Sequence, residues 1–384
     1  MTTMTFDAVS ERRAGPAWHA RWQRSWPAYE AWFIGRGGDA GPDQGACRAA
    51  MLRHMPELVA TYDQLVAVSG GSDRAARFLA TWCPPTYLGG CSLAALADET
   101  GVRLVRNYDL SPKLNEGLLL RSEWVRPVMG MVEFLWGLSD GINDAGLAVA
   151  LAYGGRSETA KGFGITTILR YVLETCETVS EAIAVLKRVP SHMAYNIVLA
   201  DRAGDSASVE VLPGGGANVM PHAVATNHQR AGRPDRPDFT RTFERHAHLL
   251  RLDIKAAELH EGFARAPLYQ DRFAEGFGTL FTAEYDPEAG TMRLIWPHEQ
   301  WQQSLDGFET GTRVIDFGTD TRLPAPPGQP AVLSSDGPDW ARAALVDWCE
   351  VGRDYAAGNG RSVEYYMSKT AQRPPACGAV AGDL

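Results

Sequence analysis

The strongest constraint on the fold is the order of the periodic segments after residue 90. Alternating apolar residues predict strands at 92–97, 102–108, 117–124 and 146–153, the first two joined by the turn DETG. Apolar residues at helical spacing follow, and they predict helices at 165–176 and 181–189. Strand patterns then return, with hairpins at 195–211 and 279–296 and a further strand leading to residue 227. Strands, then helices, then strands are typical of sheets with helices packed on them.

The segments before and after this core do not have the same pattern of apolar residues. Residues 1–87 carry helical signals, with helices predicted at 17–33, 44–68 and 73–82. Beyond residue 300 the pattern is irregular, with the stiff linker LPAPPGQP at 323–330 and a short helix predicted at 338–355. We therefore expect a helical N-terminal segment at 1–90, a core at 91–300 and a C-terminal extension at 301–384.

Composition and charge exclude several classes of protein. A chain of 384 residues that is 45% hydrophobic and 22% charged is long enough to bury a full core. Its net charge of −9 argues against a surface that binds nucleic-acid phosphates. No apolar run is long enough for a membrane-spanning helix, and charged residues occupy the place of a signal peptide's apolar stretch. We expect a cytoplasmic protein without a membrane partner.

The cysteine and histidine spacing predicts no metal site. Six cysteines are scattered through the chain without a CxxC pair. His246 and His248 are two residues apart, a spacing that does not bring side chains together on a helix. No metal or organic cofactor is expected, and most of the cysteines are expected to be inert core thiols.

Cys91 is the exception, because it follows Gly90 at the start of a predicted hairpin strand. Cleavage of the Gly90–Cys91 bond would make Cys91 an N-terminal residue, whose free α-amine has a pKa of about 7.7–8.0. One residue would then supply both a thiol nucleophile and a base. The small Gly90 would also leave room for the thiol to attack its own preceding carbonyl.

The motif GCS at 90–92, followed by RNYD at 106–109, resembles the N-terminal-nucleophile (Ntn) hydrolases of the penicillin acyltransferase and choloylglycine hydrolase group. The helical segment before the cysteine is similar to the self-cleaving acyl-CoA:6-aminopenicillanate acyltransferase-like branch. The resemblance covers residues from about 50 to about 297. It implies an α+β fold, a four-layer αββα sandwich of two antiparallel sheets between helices, with an N-terminal helical pro-segment.

The same resemblance implies roles for individual residues. Cys91 falls on the thiol nucleophile, with Arg106 and Asp109 of RNYD beside it, the Asp orienting the new amine. Two further positions form the oxyanion hole, which are the backbone N–H of Tyr153, after GINDAGL, and the side-chain amide of Asn227 in ATNH. Arg241 of FTRTFER falls on the remaining polar position, where Thr240 replaces the family's Ser.

Each residue also has a simpler interpretation. Cys91 alone is typical of a buried structural thiol, Arg106 and Asp109 of an ordinary ion pair, and Asn227 of a turn. Tyr153 would contribute only its backbone, so its side chain serves packing. Arg241 lies near Arg245 and fits a solvated helix face.

The functional expectation is an autoprocessed cysteine amidohydrolase or acyltransferase acting on an amide C–N bond of a small N-acyl substrate. The cleaved fragments are expected to stay associated, and a homo-oligomer is a further expectation. Loops at 111–116 and 129–138 are expected to line the pocket. The alternatives are an acyl-CoA-dependent N-acyltransferase and a non-catalytic protein that keeps the fold for binding.

Overall fold

The computed structural model describes residues 3–87, 89–235 and 237–317. The N-terminal part contains β1 (Thr3–Ser10), α1 (Pro16–Gly35), α2 (Gln44–His54), α3 (Val59–Val68) and α4 (Asp73–Ala80). The next six elements are the strands β2 (Gly90–Asp98), β3 (Gly101–Leu110), β4 (Leu118–Glu123), β5 (Pro127–Glu133), β6 (Gly137–Asn143) and β7 (Ala148–Tyr153).

Two helices and four strands form the middle of the chain: α5 (Ile165–Thr175), α6 (Val179–Arg188), β8 (Tyr195–Ala200), β9 (Ser206–Val211), β10 (Ala217–Val219) and β11 (Val224–Ala225). The last described elements are α7 (Pro237–Thr240), α8 (Thr242–Leu249), α9 (Leu259–Phe263), β12 (Asp271–Arg272), β13 (Phe277–Asp286), β14 (Thr291–Trp296), β15 (Glu299–Ser304) and β16 (Gly311–Asp316).

The strands form two sheets within these residues. The nine-stranded sheet has the order β10-β9-β8-β7-β6-β5-β4-β1-β16. The seven-stranded sheet has the order β11-β2-β3-β13-β14-β15, with β12 paired to β13. Neighbouring strands pair antiparallel except β1 and β4, which are parallel.

Side-chain alternation along the strands stacks the two sheets face to face. Cys91, Leu93 and Ala95 of β2 lie in one buried cluster with Met129 and Met131 of β5, so this core fills the space between the sheets. The helices α1–α6 cover the outer face of the nine-stranded sheet. Helices α8 and α9 cover the outer face of the other sheet, against Ala94 and Val105. The predicted four-layer αββα sandwich is confirmed.

The helical prediction for the first 87 residues missed one strand. Strand β1 pairs with β4 and β16 inside the nine-stranded sheet. Every second residue of β1, namely Met4, Phe6 and Ala8, points into the core between the sheets. This strand period was missed because the Trp-rich segment that follows has a clear helical pattern. Pro56 also divides the predicted helix 44–68 into α2 and α3, because proline lacks the N–H that a helix interior needs.

Two other segments also differ from their predicted structure. Residues 129–138, predicted to be a pocket loop, form most of the β5–β6 hairpin, where a side chain on Gly130 would meet the Asp140 carbonyl at 2.2 Å. Strand β16 shows that the sheet continues past residue 300. The linker 323–330 and the helix predicted at 338–355 lie outside the described residues. Among the described helices, none has both the length and the apolar character needed to span a bilayer.

Candidate active site

Cys91 lies at the start of β2 with its side chain in the core between the sheets. It is 1% exposed, and the Arg106 guanidinium donates a hydrogen bond from Nη2 to its Sγ at 3.2 Å. Burial raises the pKa of the Cys91 thiol to about 11, although the charge of Arg106 acts in the opposite direction. Gly90 has no room for a side chain, because a Cβ there would lie 2.3 Å from the Phe277 ring.

Arg106 is held in place by contacts from both sheets. It faces Leu93 across the β2–β3 pair, and its Nη1 donates to Asp140 Oδ2 at 2.6 Å from the opposite sheet. The Tyr285 hydroxyl donates to the other oxygen of Asp140 at 2.8 Å, and the guanidinium lies 4.2 Å from the centre of the Tyr108 ring. A cation anchored in this way keeps one N–H group directed at the thiol.

Asn227 contacts the chain on both sides of the Gly90–Cys91 bond. Its Oδ1 accepts the backbone N–H of Cys91 at 3.1 Å. Its Nδ2 donates to the Gly89 carbonyl at 3.4 Å and to the Tyr153 carbonyl at 3.1 Å. The structure therefore brings together four of the residues singled out in the sequence, Cys91, Arg106, Tyr153 and Asn227. Tyr153 does so through its backbone carbonyl and not through the N–H group predicted for the oxyanion hole, while its hydroxyl donates to Asp235 at 3.3 Å.

A second buried arginine, Arg245 on α8, binds the next peptide along the chain, between Cys91 and Ser92. Its Nη1 donates to the Cys91 carbonyl at 2.5 Å and to Ser92 Oγ at 2.8 Å. Its Nη2 donates to Asn227 Oδ1 at 2.7 Å. The acceptor oxygen of Asn227 is thus occupied, which leaves the amide's Nδ2 facing Gly89 and Tyr153.

Asp109 lies near the carbonyl side of Cys91 and not beside its thiol. Arg106 and Asp109 are three residues apart on β3, so their side chains leave opposite faces of the sheet. Asp109 Oδ1 accepts from the Thr279 hydroxyl at 2.7 Å, and its Oδ2 lies 3.7 Å from Arg245 Nη1. Burial raises the pKa of Asp109, while the charge of Arg245 opposes that shift.

Arg241 lies outside this cluster. It precedes α8 in a left-handed conformation, with φ of 50°, and its exposed guanidinium pairs with Glu244. Arg245, one turn later, points inward and is fully buried. Two arginines four residues apart are expected to lie on the same face of a helix. Here Arg241 precedes the helix in a left-handed conformation, and this directs its side chain away from that of Arg245. The sequence prediction therefore chose the arginine that the structure places in solvent.

The sequence model of the acyl-coenzyme A:6-aminopenicillanic acid acyl-transferase family matches residues 96–301. The chain belongs to this family. The resemblance stated from the motifs is thereby confirmed. No curated protein sequence matches the chain.

Several solved structures are similar to this member of the acyl-transferase family. The N-acylethanolamine-hydrolyzing acid amidase ortholog of Caenorhabditis elegans is 17% identical, with 59% of this chain and 100% of that chain covered and a TM-score of 0.40. Penicillin V acylase from Agrobacterium tumefaciens is 16% identical, with coverage of 56% and 86% and a TM-score of 0.39. A mutant of the conjugated bile acid hydrolase from Clostridium perfringens is 16% identical, with coverage of 58% and 96% and a TM-score of 0.38.

Polar side chains of this acyl-transferase family member converge on residues 89–91. Arg106 contacts the Cys91 thiol, Asn227 contacts the Cys91 N–H and the Gly89 carbonyl, and Arg245 contacts the Cys91 carbonyl. Asp140 and Arg245 are the residues that sequence reasoning missed. Asp140 could have been identified from the sequence, because a charged residue in the apolar strand GLSDGIN needs a buried partner. Within the described ranges, no group of three His, Cys, Asp or Glu side chains could hold a metal ion.

Proposed function

We propose that the chain cleaves its own Gly90–Cys91 bond and then hydrolyses an amide C–N bond of a small N-acyl substrate through Cys91. The observation that carries this proposal is the placement of Asn227, which binds the Cys91 N–H and reaches Gly89 beside the Arg106-bound thiol. Membership of an acyl-transferase family supports the same chemistry. Cys91, Arg106, Asp109, Tyr153, Asn227 and Arg245 are the proposed site residues.

Self-cleavage would proceed by an acyl shift from nitrogen to sulfur. The Cys91 thiol attacks the Gly90 carbonyl carbon, and its proton passes to the Cys91 nitrogen as the C–N bond breaks. The resulting thioester is hydrolysed by water, which releases the Gly90 carboxyl group and restores the thiol. The thiol pKa of about 11 means that the uncut chain holds a protonated thiol at neutral pH.

Substrate turnover would use the freed amine as the base. The amine takes the thiol proton as sulfur attacks the acyl carbon, and the oxyanion is stabilised by Asn227 Nδ2 and the backbone N–H of Tyr153. The amine then gives the proton to the leaving nitrogen, and an acyl thioester remains on Cys91. Water completes the cycle by releasing the acid and the thiol.

The packing of the N-terminal segment supports the proposal that the fragments stay associated. Strand β1 lies between β4 and β16, so cleavage after Gly90 would leave it inside the sheet. Trp18 and Trp22 of α1 are buried in the core under the nine-stranded sheet, and Trp18 Nε1 donates to the Leu135 carbonyl at 3.0 Å. Separating the fragments would expose this apolar surface to water.

Asn227→Ala is expected to lower kcat by about 10²–10³-fold with a smaller change in KM, because the amide stabilises charge that develops only in the transition state. Steady-state kinetics on an N-acyl p-nitroanilide measures both constants. Asn218→Ala, on an exposed position of β10, is the control and is expected to leave both unchanged.

Asn196 cannot serve as that control. Its Nδ2 donates to the carbonyls of Thr226 and His228, each at 2.8 Å, so it holds the two residues on either side of Asn227. A loss of kcat as large in Asn218→Ala as in Asn227→Ala would contradict the oxyanion role.

Acyl transfer to an amine is the second candidate, favoured by the description of the matched family. The same acyl-Cys91 serves both outcomes, and the choice depends on how well the site excludes water and orients an acceptor. A cytoplasmic location would place acyl-CoA within reach, but hydrolysis needs no second binding site. We therefore favour net hydrolysis over transfer, and over a non-catalytic binding role.

The partitioning of the acyl group distinguishes the two candidates. The enzyme is supplied with an N-acyl donor and rising concentrations of 6-aminopenicillanate, and both free acid and new amide are measured. We expect the acid to remain the main product at millimolar amine. Dominant amide with nearly suppressed acid would identify a transferase.

A further inference from the structure

Self-cleavage would create a charge that the uncut chain does not contain at this position. Hydrolysis of the thioester between Gly90 and Cys91 leaves Gly90 with a free carboxyl group, whose pKa of about 3.3–3.7 makes it a carboxylate at neutral pH. Gly90 and Cys91 are both buried in the uncut chain. A buried carboxylate without a donor or a cation is unfavourable, so the new end of the 1–90 fragment needs either solvent or a binding partner.

The side of Gly90 that faces away from the thiol lies against an aromatic ring. Cys91 points into the core between the sheets, so the alternation of β2 turns Gly90 toward the outer face of the seven-stranded sheet. A Cβ on Gly90 would overlap the Phe277 ring, which shows that this ring and the Gly90 backbone are in contact. Phe277 is the residue of β13 that pairs with Arg272 of β12.

Arg272 is stacked on the same ring. Its guanidinium carbon lies 4.9 Å from the centre of the Phe277 ring and 4.9 Å from the centre of the Phe239 ring. The centres of these two rings are 5.0 Å apart. Arginine stacks on aromatic faces in this way while the N–H groups at its edge can still bind oxygen atoms. The Arg272 guanidinium and the Gly90 backbone therefore contact the same side chain.

The guanidinium of Arg272 is firmly bound on one side and weakly bound on the other. Its Nη2 donates to the Phe239 carbonyl at 2.7 Å and to Gln270 Oε1 at 3.3 Å. Its Nη1 lies 3.5 Å from Glu275 Oε2, and the side chains of Arg272 and Glu275 are 25% and 54% exposed. An exposed ion pair contributes little to stability, so another carboxylate can replace Glu275 at Nη1.

Positive charge is in excess on this face of the sheet. Asp109, which pairs with Gly90 across the β2–β3 hairpin, carries a buried carboxyl group here. Burial raises the pKa of Asp109, and the charges of Arg245 and Arg272 both oppose that shift. Burial lowers the pKa of Arg245, and the charge of Arg272 acts in the same direction. Two guanidinium groups thus act on one buried carboxyl group, and a second anion at Arg272 would improve the balance of charge.

We propose that Arg272 binds the new Gly90 carboxylate and so holds the end of the 1–90 fragment beside the active site. The inference rests on the proposed self-cleavage, which supplies the ligand, a peptide C-terminal carboxylate. Gly89 and Gly90 have no side chains, so this end can turn toward Arg272 with little steric resistance. Arginine suits the ligand because its paired N–H groups match the two oxygen atoms of a carboxylate.

This placement separates the two ends that the cleavage creates. Arg106, on the thiol side, is already paired with Asp140 at 2.6 Å and does not need a second carboxylate. With the Gly90 carboxylate at Arg272, on the outer side of the sheet, the Cys91 thiol faces the space that the cleaved peptide has left. The N-acyl substrate can then reach the thiol while the two fragments remain associated.

Trimming of the 1–90 fragment by carboxypeptidase Y measures how firmly its new end is held. The self-cleaved protein is incubated with the protease beside the synthetic peptide PPTYLGG, which has the sequence of residues 84–90, and the loss of Gly90 is followed by intact mass. The rate in the peptide divided by the rate in the protein is the protection factor. We expect Arg272→Gln to lower this factor at least about tenfold, because the bonds between the charged groups are lost.

Two further variants and one change of conditions identify the cause of the protection. Arg265→Gln removes an exposed arginine between α9 and β12, and this matched control should keep the wild-type protection factor. Arg272→Lys keeps the charge without the fork and should lose less protection than Arg272→Gln. Raising the salt concentration from about 0.1 M to about 1 M should lower the protection factor of the wild type, because salt screens a partly exposed ion pair.

The outcomes separate this inference from the proposed function. A self-cleaved wild type without protection relative to the peptide, or with the same protection as a folded Arg272→Gln variant, would overturn the inference and leave the function intact. Should Arg272→Gln fail to fold, wild-type protection that does not change with salt would overturn it as well. A wild-type chain that stays uncut by intact mass would contradict the proposed self-cleavage and, with it, this inference.

Discussion

Cys91→Ala is expected to yield one uncut chain of 41.8 kDa and no measurable amide turnover, whereas the wild type yields fragments 1–90 and 91–384 that purify together. The variant lacks the sulfur that attacks the Gly90 carbonyl and later carries the acyl group, so processing and catalysis are lost together. Intact mass spectrometry measures the first effect, and p-nitroanilide release measures the second.

Cys176→Ala is a matched control for this variant. Cys176 is also a buried thiol, 2% exposed, whose pKa burial raises to about 11. Its replacement leaves a cavity of similar size but is expected to process normally and to stay active. An uncut wild-type chain with full activity would contradict self-cleavage as the source of the nucleophile.

Arg245→Gln is expected to lower kcat/KM by about 10²–10³-fold, while Arg241→Gln changes it by less than about twofold. The buried guanidinium of Arg245 donates to Asn227 Oδ1 and to the Cys91 carbonyl and lies beside Asp109. Its loss would free the side chain of the proposed oxyanion donor, Asn227, and leave the buried Asp109 carboxyl group without a neighbouring positive charge. Arg241 forms an exposed pair with Glu244, which contributes little.

Arg245→Lys separates positioning from folding. Lysine retains a charge beside Asp109 but cannot donate to Asn227 and the Cys91 carbonyl with the same fork. A folded Lys variant with a large loss of kcat/KM, checked by its melting temperature, supports the positioning role. Equal kcat/KM for Arg245→Gln and the wild type would remove Arg245 from the proposed site.

The adjacency of Cys91 and Arg106 was predictable from the sequence because both lie on one hairpin. Cys91 and Arg106 are on paired strands, and the strand alternation of both segments is clear enough to put their side chains on the same face. The same alternation places the side chain of Asp109 on the opposite face of β3. Asp140 comes from the opposite sheet, and no local pattern indicates which residue the stacking of two sheets will bring to Arg106.

Helices and strands were predictable where the apolar residues of a segment repeat with a single helical or strand period. Strand β1 was missed because eight residues of alternation precede a long Trp-rich helix, and its partners β4 and β16 are distant in the chain. The β5–β6 hairpin was missed because its turn residues are Phe134 and Leu135, which adopt positive φ without the glycine or asparagine that marks such turns. Both features depend on tertiary contacts.

Trapping of the acyl-enzyme identifies the residue that carries the acyl group during turnover. The processed enzyme is mixed with an N-acyl p-nitroanilide and quenched in acid during steady turnover, and the fragments are analysed by intact mass and peptide mapping. We expect one acyl group as a thioester on Cys91, at the N-terminus of the 91–384 fragment, and no acyl group on Asn227→Ala at the same time point. Turnover with the acyl group on another residue, or by a chain still intact at Gly90–Cys91, would rule out the proposed mechanism.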